Sequence, residues 1–156
     1  MKYLFFLFLV FGIACAAPTE DESSATDTTG FDAALAEKLG ADDYGMRQYV
    51  MALLKAGPNR DGSEEERAAL QAAHMENIGK LAEAGKLILA GPFLDDGELR
   101  GIYVFDVKTV EEAEALTNTD PAIQAGSLVM ELKPWYGSAA MMQINEVHNN
   151  ISKENP

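Results

Sequence analysis

His74 and Asp120 are the two residues of this sequence whose type and setting point to chemistry. His74, one of two histidines, falls on the helical stripe Leu70, His74, Ile78, Leu81, where a 3.6-residue repeat would place an apolar side chain facing a core. A buried neutral imidazole has one donor and one acceptor nitrogen, and leaving either unpaired costs about 1–3 kcal/mol. Asp120 precedes Pro121, with Gly126 closing the segment, which is the pattern of a helix N-cap with proline at the first helical position. A cap uses one carboxylate oxygen, so the other can orient an imidazole. An aspartate on one ring nitrogen fixes the tautomer and leaves the second nitrogen as a base. The structural alternative is a histidine bonded to a backbone carbonyl and an aspartate that only caps.

Other chemistries lack their residues. With a single cysteine and no CxxC or HExxH spacing, zinc and haem attachment have no ligand set, so no metal and no cofactor is expected. The glycine-rich phosphate loops and the G-x-S-x-G elbow are absent from the sequence. The loop "KAGPNR" contributes Lys55 and Arg60, two cations suited to holding a substrate carboxylate at the mouth of a cleft. The formal net charge of −13 repels phosphate backbones, which excludes nucleic acid as an expected partner.

The elements that must position these residues follow from periodicity and caps. "MRQYVMALL" alternates with both faces apolar and reads as a strand. "SEEERAALQAAHMENIGKLAEAG" is a helix, with a Ser63/Glu66 capping box, acidic residues in the first turn and Gly85 past the end. "KLILAGPF" and "RGIYVFDV" are strands joined across an Asp96-Gly97 turn. A second capping box, Thr109/Glu112, opens a shorter helix, and "SLVMELKPW" is a last strand stopped by Pro134. The order β-α-β-β-α-β predicts an α+β, ferredoxin-like fold: a four-stranded antiparallel sheet with two helices on one face.

In that topology the strands at 46–54 and 101–107 are central, and both of their faces are apolar. The face opposite the helices therefore needs a cover. A second copy is the simplest one, predicting a homodimer; the C-terminal residues or a helix over 31–40 are the rival covers. Alternation places Tyr103 and Phe105 on one face and Ile102 and Val104 on the other. The same topology makes the His74–Asp120 contact demanding. His74 lies about 15 Å along the longer helix, while the shorter helix ends near the level where the longer one begins. The pair then meets only through a loop excursion, a water or a second subunit.

The run "AHMENIGKLAEAGKLILAGPF", then "DDGELRGIYVF" and "TDPAIQAG…ELKPW", resembles the YCII-related (YciI-like) family across residues 46–136. The resemblance implies a ferredoxin-like fold paired into dimers resembling α+β barrels. It also implies an enzymatic site at the helix histidine and the D-P aspartate, here His74 and Asp120. The family's activities are mostly unassigned.

Four segments result: a leader at 1–15, an acidic tether at 16–45, the domain at 46–137 and a C-terminal tail at 138–156. The leader is a short apolar run behind Lys2, ending at Cys15. Cys15 sits as in a lipobox, with Ile13 and Ala14 fitting and Gly12 departing from it; Ala14-Cys15-Ala16 also fits ordinary signal cleavage. Both predict export to the cell envelope, the first with a lipid anchor as the sole membrane contact. Two functions are compatible with these residues. One is a small cofactor-independent enzyme using His74 and Asp120 on a small organic acid, lactone or halogenated aromatic. The other is a non-catalytic dimeric binding or assembly module.

Overall fold

The computed structural model describes residues 30–154; Cys15 and the leader lie outside the described residues. Its element order is α1 (Ala33–Leu39), β1 (Met46–Ala56), α2 (Glu64–Glu83), β2 (Leu87–Pro92), β3 (Leu99–Phe105), α3 (Val110–Thr117), α4 (Pro121–Gln124), β4 (Leu128–Ser138), a 3₁₀ turn (Ala139–Gln143) and α5 (Ile144–Ile151). The strands form one antiparallel sheet in the order β2-β3-β1-β4. This is the expected α+β, ferredoxin-like arrangement, with β1 and β3 at its centre.

Both capping boxes are formed. Ser63 and Glu66 exchange side-chain and backbone bonds at the start of α2, and Thr109 and Glu112 do so at α3. Each satisfies two N–H groups that a helix start leaves without partners. Gly85, just beyond α2, takes φ +66°, a left-handed conformation that costs glycine little and lets the chain turn into β2.

The inner face of the sheet meets the helices. Val50, Ala52 and Leu54 of β1, Leu87 of β2, and Tyr103 and Phe105 of β3 pack with Leu81 of α2 and Ala113 of α3 in one buried cluster. Tyr103 and Phe105 therefore point inward, and a probe of the outer face must use Val104 instead. On the outer face Tyr49, Ile88 and Val104 are buried, and the half-buried Trp135, Met141 and Met142 pack against them. Tyr49 Oη donates to Ser138 O at 3.0 Å, tying the end of β4 to this second core.

The C-terminal residues thus form the 3₁₀ turn and α5 and cover much of the outer face from within the chain. Removal of residues 139–156 is expected to lower unfolding stability by about 3 kcal/mol, the order for uncovering two methionines and their partners. It should also switch on binding of a hydrophobic dye. An unchanged urea midpoint would show that this face needs no cover.

Two boundaries move. β4 does not stop at Pro134: it continues to Ser138, with Pro134 opposite Val50. Because β4 is an edge strand, the N–H that proline lacks is not required by the sheet. The compact unit runs from Asp32, so α1 belongs to it rather than to a tether reaching residue 45. Arg47 Nη1 donates to Leu39 O at 2.8 Å, fastening the end of α1 to β1.

Candidate active site

His74 and Asp120 meet directly within one chain. His74 Nδ1 lies 2.8 Å from Asp120 Oδ2, and the two residues are only 7% and 1% exposed. The contact is made by the loop excursion that the topology demanded. After α3 the chain turns through Asn118 and Thr119 and starts α4 against the middle of α2, with Asp120 as N-cap. Asp120 Oδ1 accepts from Ala122 N–H at 2.9 Å. One carboxylate thus caps α4 and orients the imidazole. Since a carboxylate offers only acceptors, Nδ1 carries the ring proton and Nε2 is left with its lone pair.

That second nitrogen is not free. Tyr103 Oη lies 3.2 Å from His74 Nε2, and the phenol donates to it. The site is a relay, Tyr103 to His74 to Asp120, rather than a lone base. Burial pushes the Tyr103 phenol up from the ordinary value of 10.0, and the negative charge of Asp120 adds to this. Tyr103 therefore stays protonated and acts as a neutral donor.

The pH consequence has a definite sign. A phenol whose folded pKa is raised contributes stability present below the unfolded value of 10.0 and lost as pH rises above it. Tyr103→Phe is expected to flatten the alkaline fall in stability above pH 10.0. At neutral pH it should cost about 1–3 kcal/mol, because His74 Nε2 loses its donor. Urea titrations at several alkaline pH values measure both, and an unaltered alkaline slope would exclude Tyr103 as its source.

A second contact runs beside the first. Thr119 Oγ1 lies 3.0 Å from Asn77 Oδ1 and 2.7 Å from Leu116 O. A hydroxyl has one proton, and the shorter bond to Leu116 takes it. The Asn77 contact is then better made by the amide N–H donating to Thr119, with the amide turned end for end. In either orientation one end of this buried amide lacks a partner among the described residues.

The pair borders a cavity of about 460 Å³ lined by His74 and Tyr103, with Leu54, Leu70, Ile78 and Pro92 among its apolar walls. Arg60 reaches this cavity, as do Arg67 and Arg100. Lys55 does not: it points to the outer face, where Nζ pairs with Glu131 at 2.6 Å. Glu131 also holds Lys133, and these two lysines draw its carboxyl down to about 2. No group of three or more His, Cys, Asp or Glu among the described residues is placed to hold a metal ion. None of the helices described there is long and apolar enough to cross a membrane.

Tyr103, Arg67 and Arg100 were not legible as site residues from motif or cap patterns. Arg67 did carry a signal, standing seven positions before His74 on the same helical stripe. Tyr103 becomes a site residue only once the inner face of β3 is known.

One antiparallel sheet, helices packed on its inner face and a buried histidine–aspartate pair opening on a cavity define a small α+β protein with a candidate acid–base site. The chain belongs to the YCII-related domain family, whose model matches residues 49–136. The uncharacterized protein YjpA of Bacillus subtilis (strain 168) is 33% identical over 64 residues, 41% of this chain and 73% of that protein. A solved structure of 5-chloro-2-hydroxyhydroquinone dehydrochlorinase (TftG) from Burkholderia phenoliruptrix AC1100, in complex with 2,5-dihydroxybenzoquinone, is similar at a TM-score of 0.42. It is 20% identical, over 55% of this chain and 92% of that one, too distant to transfer chemistry between the two.

Proposed function

We propose that this protein is a small enzyme in which His74, oriented by Asp120, moves a proton on a small organic acid, lactone or halogenated aromatic held in the cavity. The observation that carries the reading is the position of the relay: the imidazole and the phenol that caps it both border the same 460 Å³ space. Substrate entry would displace the Tyr103 hydroxyl from Nε2. The freed nitrogen takes a proton from the substrate, and Asp120 stabilises the imidazolium. Tyr103 then donates to the substrate oxygen on which charge gathers. The proton returns at a second position in an isomerisation, or a leaving group departs in an elimination. Either step needs only this chain's own proton carriers.

A panel of small acids, lactones and chlorinated phenols in deuterated water tests the reading by NMR. Deuterium incorporation or turnover is expected with the unmodified protein and is lost in His74→Gln. The non-catalytic module has one observation in its favour, that both ring nitrogens are already paired. It wins if no compound exchanges and if His74→Gln simply unfolds the domain.

Two further expectations stand as proposals. Export with lipidation at Cys15 predicts that Cys15→Ser accumulates precursor and takes up no labelled fatty acid; normal maturation of that variant would favour ordinary cleavage. A homodimer is supported by the part of the outer face that the C-terminal residues leave open. There Val129 is 47% exposed, and Leu53 and Ile102 are partly buried but lie outside the outer cluster. Light scattering from the full chain as a stable monomer would rule the dimer out.

A further inference from the structure

Three of the chain's four arginines, Arg60, Arg67 and Arg100, line the cavity that His74 and Tyr103 border. The fourth, Arg47, is paired with Asp106. In a protein with 25 acidic residues against 12 basic ones, a cation would be expected to find a carboxylate. Yet the carboxylate ion pairs among the described residues involve Arg47, Lys55, His74, Lys80 and Lys133, and none of these three arginines. Each is instead steadied through one Nη1 by a backbone carbonyl: Arg60 by Ser127, Arg67 by Gly62 and Arg100 by Gly97. A guanidinium carries five N–H donors, so one such bond leaves most of them for another acceptor.

They come from three separate elements, and each is aimed by a different device. Arg67 stands on α2 two turns before His74, on the same stripe. Arg60 lies in the loop between β1 and α2, and that loop is fastened to the turn before β4 by Gly57 N–H to Ser127 O and Asn59 N–H to Gly126 O. Arg100 is the most informative. It is three positions from Tyr103, so strict alternation would put the two on opposite faces of β3. The register breaks there: Leu54 pairs with Gly101 but Lys55 pairs with Leu99, leaving Arg100 as the extra residue of a bulge. A bulge re-aims a side chain, and this one turns an arginine into the cavity that Tyr103 faces.

We infer that the arginine end of this cavity is an anion subsite that binds the carboxylate of a ligand whose apolar ring lies toward His74. The inference rests on the acid–base reading only for what happens at the ring; the subsite itself stands on the arginines. Seven helical residues separate Arg67 from His74, about 10 Å along the axis, and the bond of Arg67 Nη1 to Gly62 O holds the guanidinium at the far end of that span, which leaves the length of a substituted ring and its carboxylate between them. A cavity of about 460 Å³ between Leu70, Ile78 and Pro92 suits a single-ring molecule. Planar guanidinium groups match a carboxylate in paired bonds, and exposed Arg60 and Arg67 offer theirs at the open end of the cavity.

Calorimetric titration of the full chain with benzoate, its neutral analogue benzamide and the ringless anion acetate tests the subsite. Benzoate is expected to bind about tenfold more tightly than either of the others, which is 1.4 kcal/mol. Arg67→Gln and Arg100→Gln, each checked for an unchanged circular dichroism spectrum, should each weaken benzoate about tenfold and leave benzamide unmoved. Equal affinity for benzoate and benzamide, unchanged benzoate affinity in both folded arginine variants, or no saturable benzoate binding up to about 10 mM overturns the subsite. Benzoate binding that persists while no compound undergoes proton exchange supports the subsite and retires the acid–base reading. Exchange without charge preference does the reverse.

Discussion

Asp120→Asn is expected to abolish proton transfer while leaving the fold standing, and Asp120→Ala to cost the fold as well. The asparagine carbonyl can still accept from Ala122 N–H at the start of α4, as Asp120 Oδ1 does at 2.9 Å. Its amide N–H2 then faces His74 Nδ1, which must give up its proton and accept. The ring proton moves to Nε2, the nitrogen that now accepts from Tyr103. The lone pair bordering the cavity disappears, and with it a catalytic contribution of about 10²–10⁴-fold. Stability should fall by about 1–2 kcal/mol, because Nε2–H now donates to Tyr103 Oη and the phenol proton must turn from the imidazole toward the cavity.

Alanine at 120 has no such compensation. It removes the cap, about 0.5–2 kcal/mol, and strands a buried imidazole N–H, about 1–3 kcal/mol. Urea unfolding separates the two variants, and the nitrogen-15 shifts of the His74 ring report the tautomer directly. The double variant His74→Gln/Asp120→Asn should be no slower than either single change if the two act as a unit. Additive losses, or an unchanged tautomer in Asp120→Asn, would sink this account of the relay.

Gly57→Ala is the second change with a large expected effect. A Cβ at Gly57 would lie 2.2 Å from Gly126 O and 2.8 Å from Ser127 C, all of it backbone that cannot rotate aside. The loop after β1 would have to lift from the turn before β4. It would lose the bonds from Gly57 to Ser127 and from Asn59 to Gly126 and Ala125. The expected destabilisation is about 3 kcal/mol, the upper range for overpacking. Arg60 should also withdraw from the cavity, so benzoate affinity should drop together with the urea midpoint. Gly79→Ala provides the contrast. It is exposed inside α2, one turn from its end, with nothing within 4 Å of the added Cβ, and helix propensity predicts a gain of up to about 1 kcal/mol. If both alanines had the same effect, the close approach at Gly57 would not be what holds this loop.

The sequence by itself determined the parts whose causes lie within a few residues. Ser63 with Glu66 and Thr109 with Glu112 announced the starts of α2 and α3 because a capping box closes over one turn. The polar residue on the Leu70–Leu81 stripe marked His74, and the Asp-Pro step marked Asp120 as a cap, since both patterns are local. Strand alternation and the order of elements were enough for the sheet topology. What only the tertiary structure decided depends on residues far apart in the chain. His74 and Asp120 stand 46 positions apart, and whether they touch rests on how the α3–α4 turn lays Asp120 against α2. Lys55 has the type and loop-side position of a cleft cation, but cross-strand pairing of β1 with β4 places it diagonally beside Glu131, a nearer opposite charge. The bulge at Arg100 has no sequence mark of its own, because a register break is a property of two strands at once. The cover of the outer face was open for the same reason. Met141 and Met142 found Tyr49, Ile88 and Val104 through long-range burial, which no local spacing encodes.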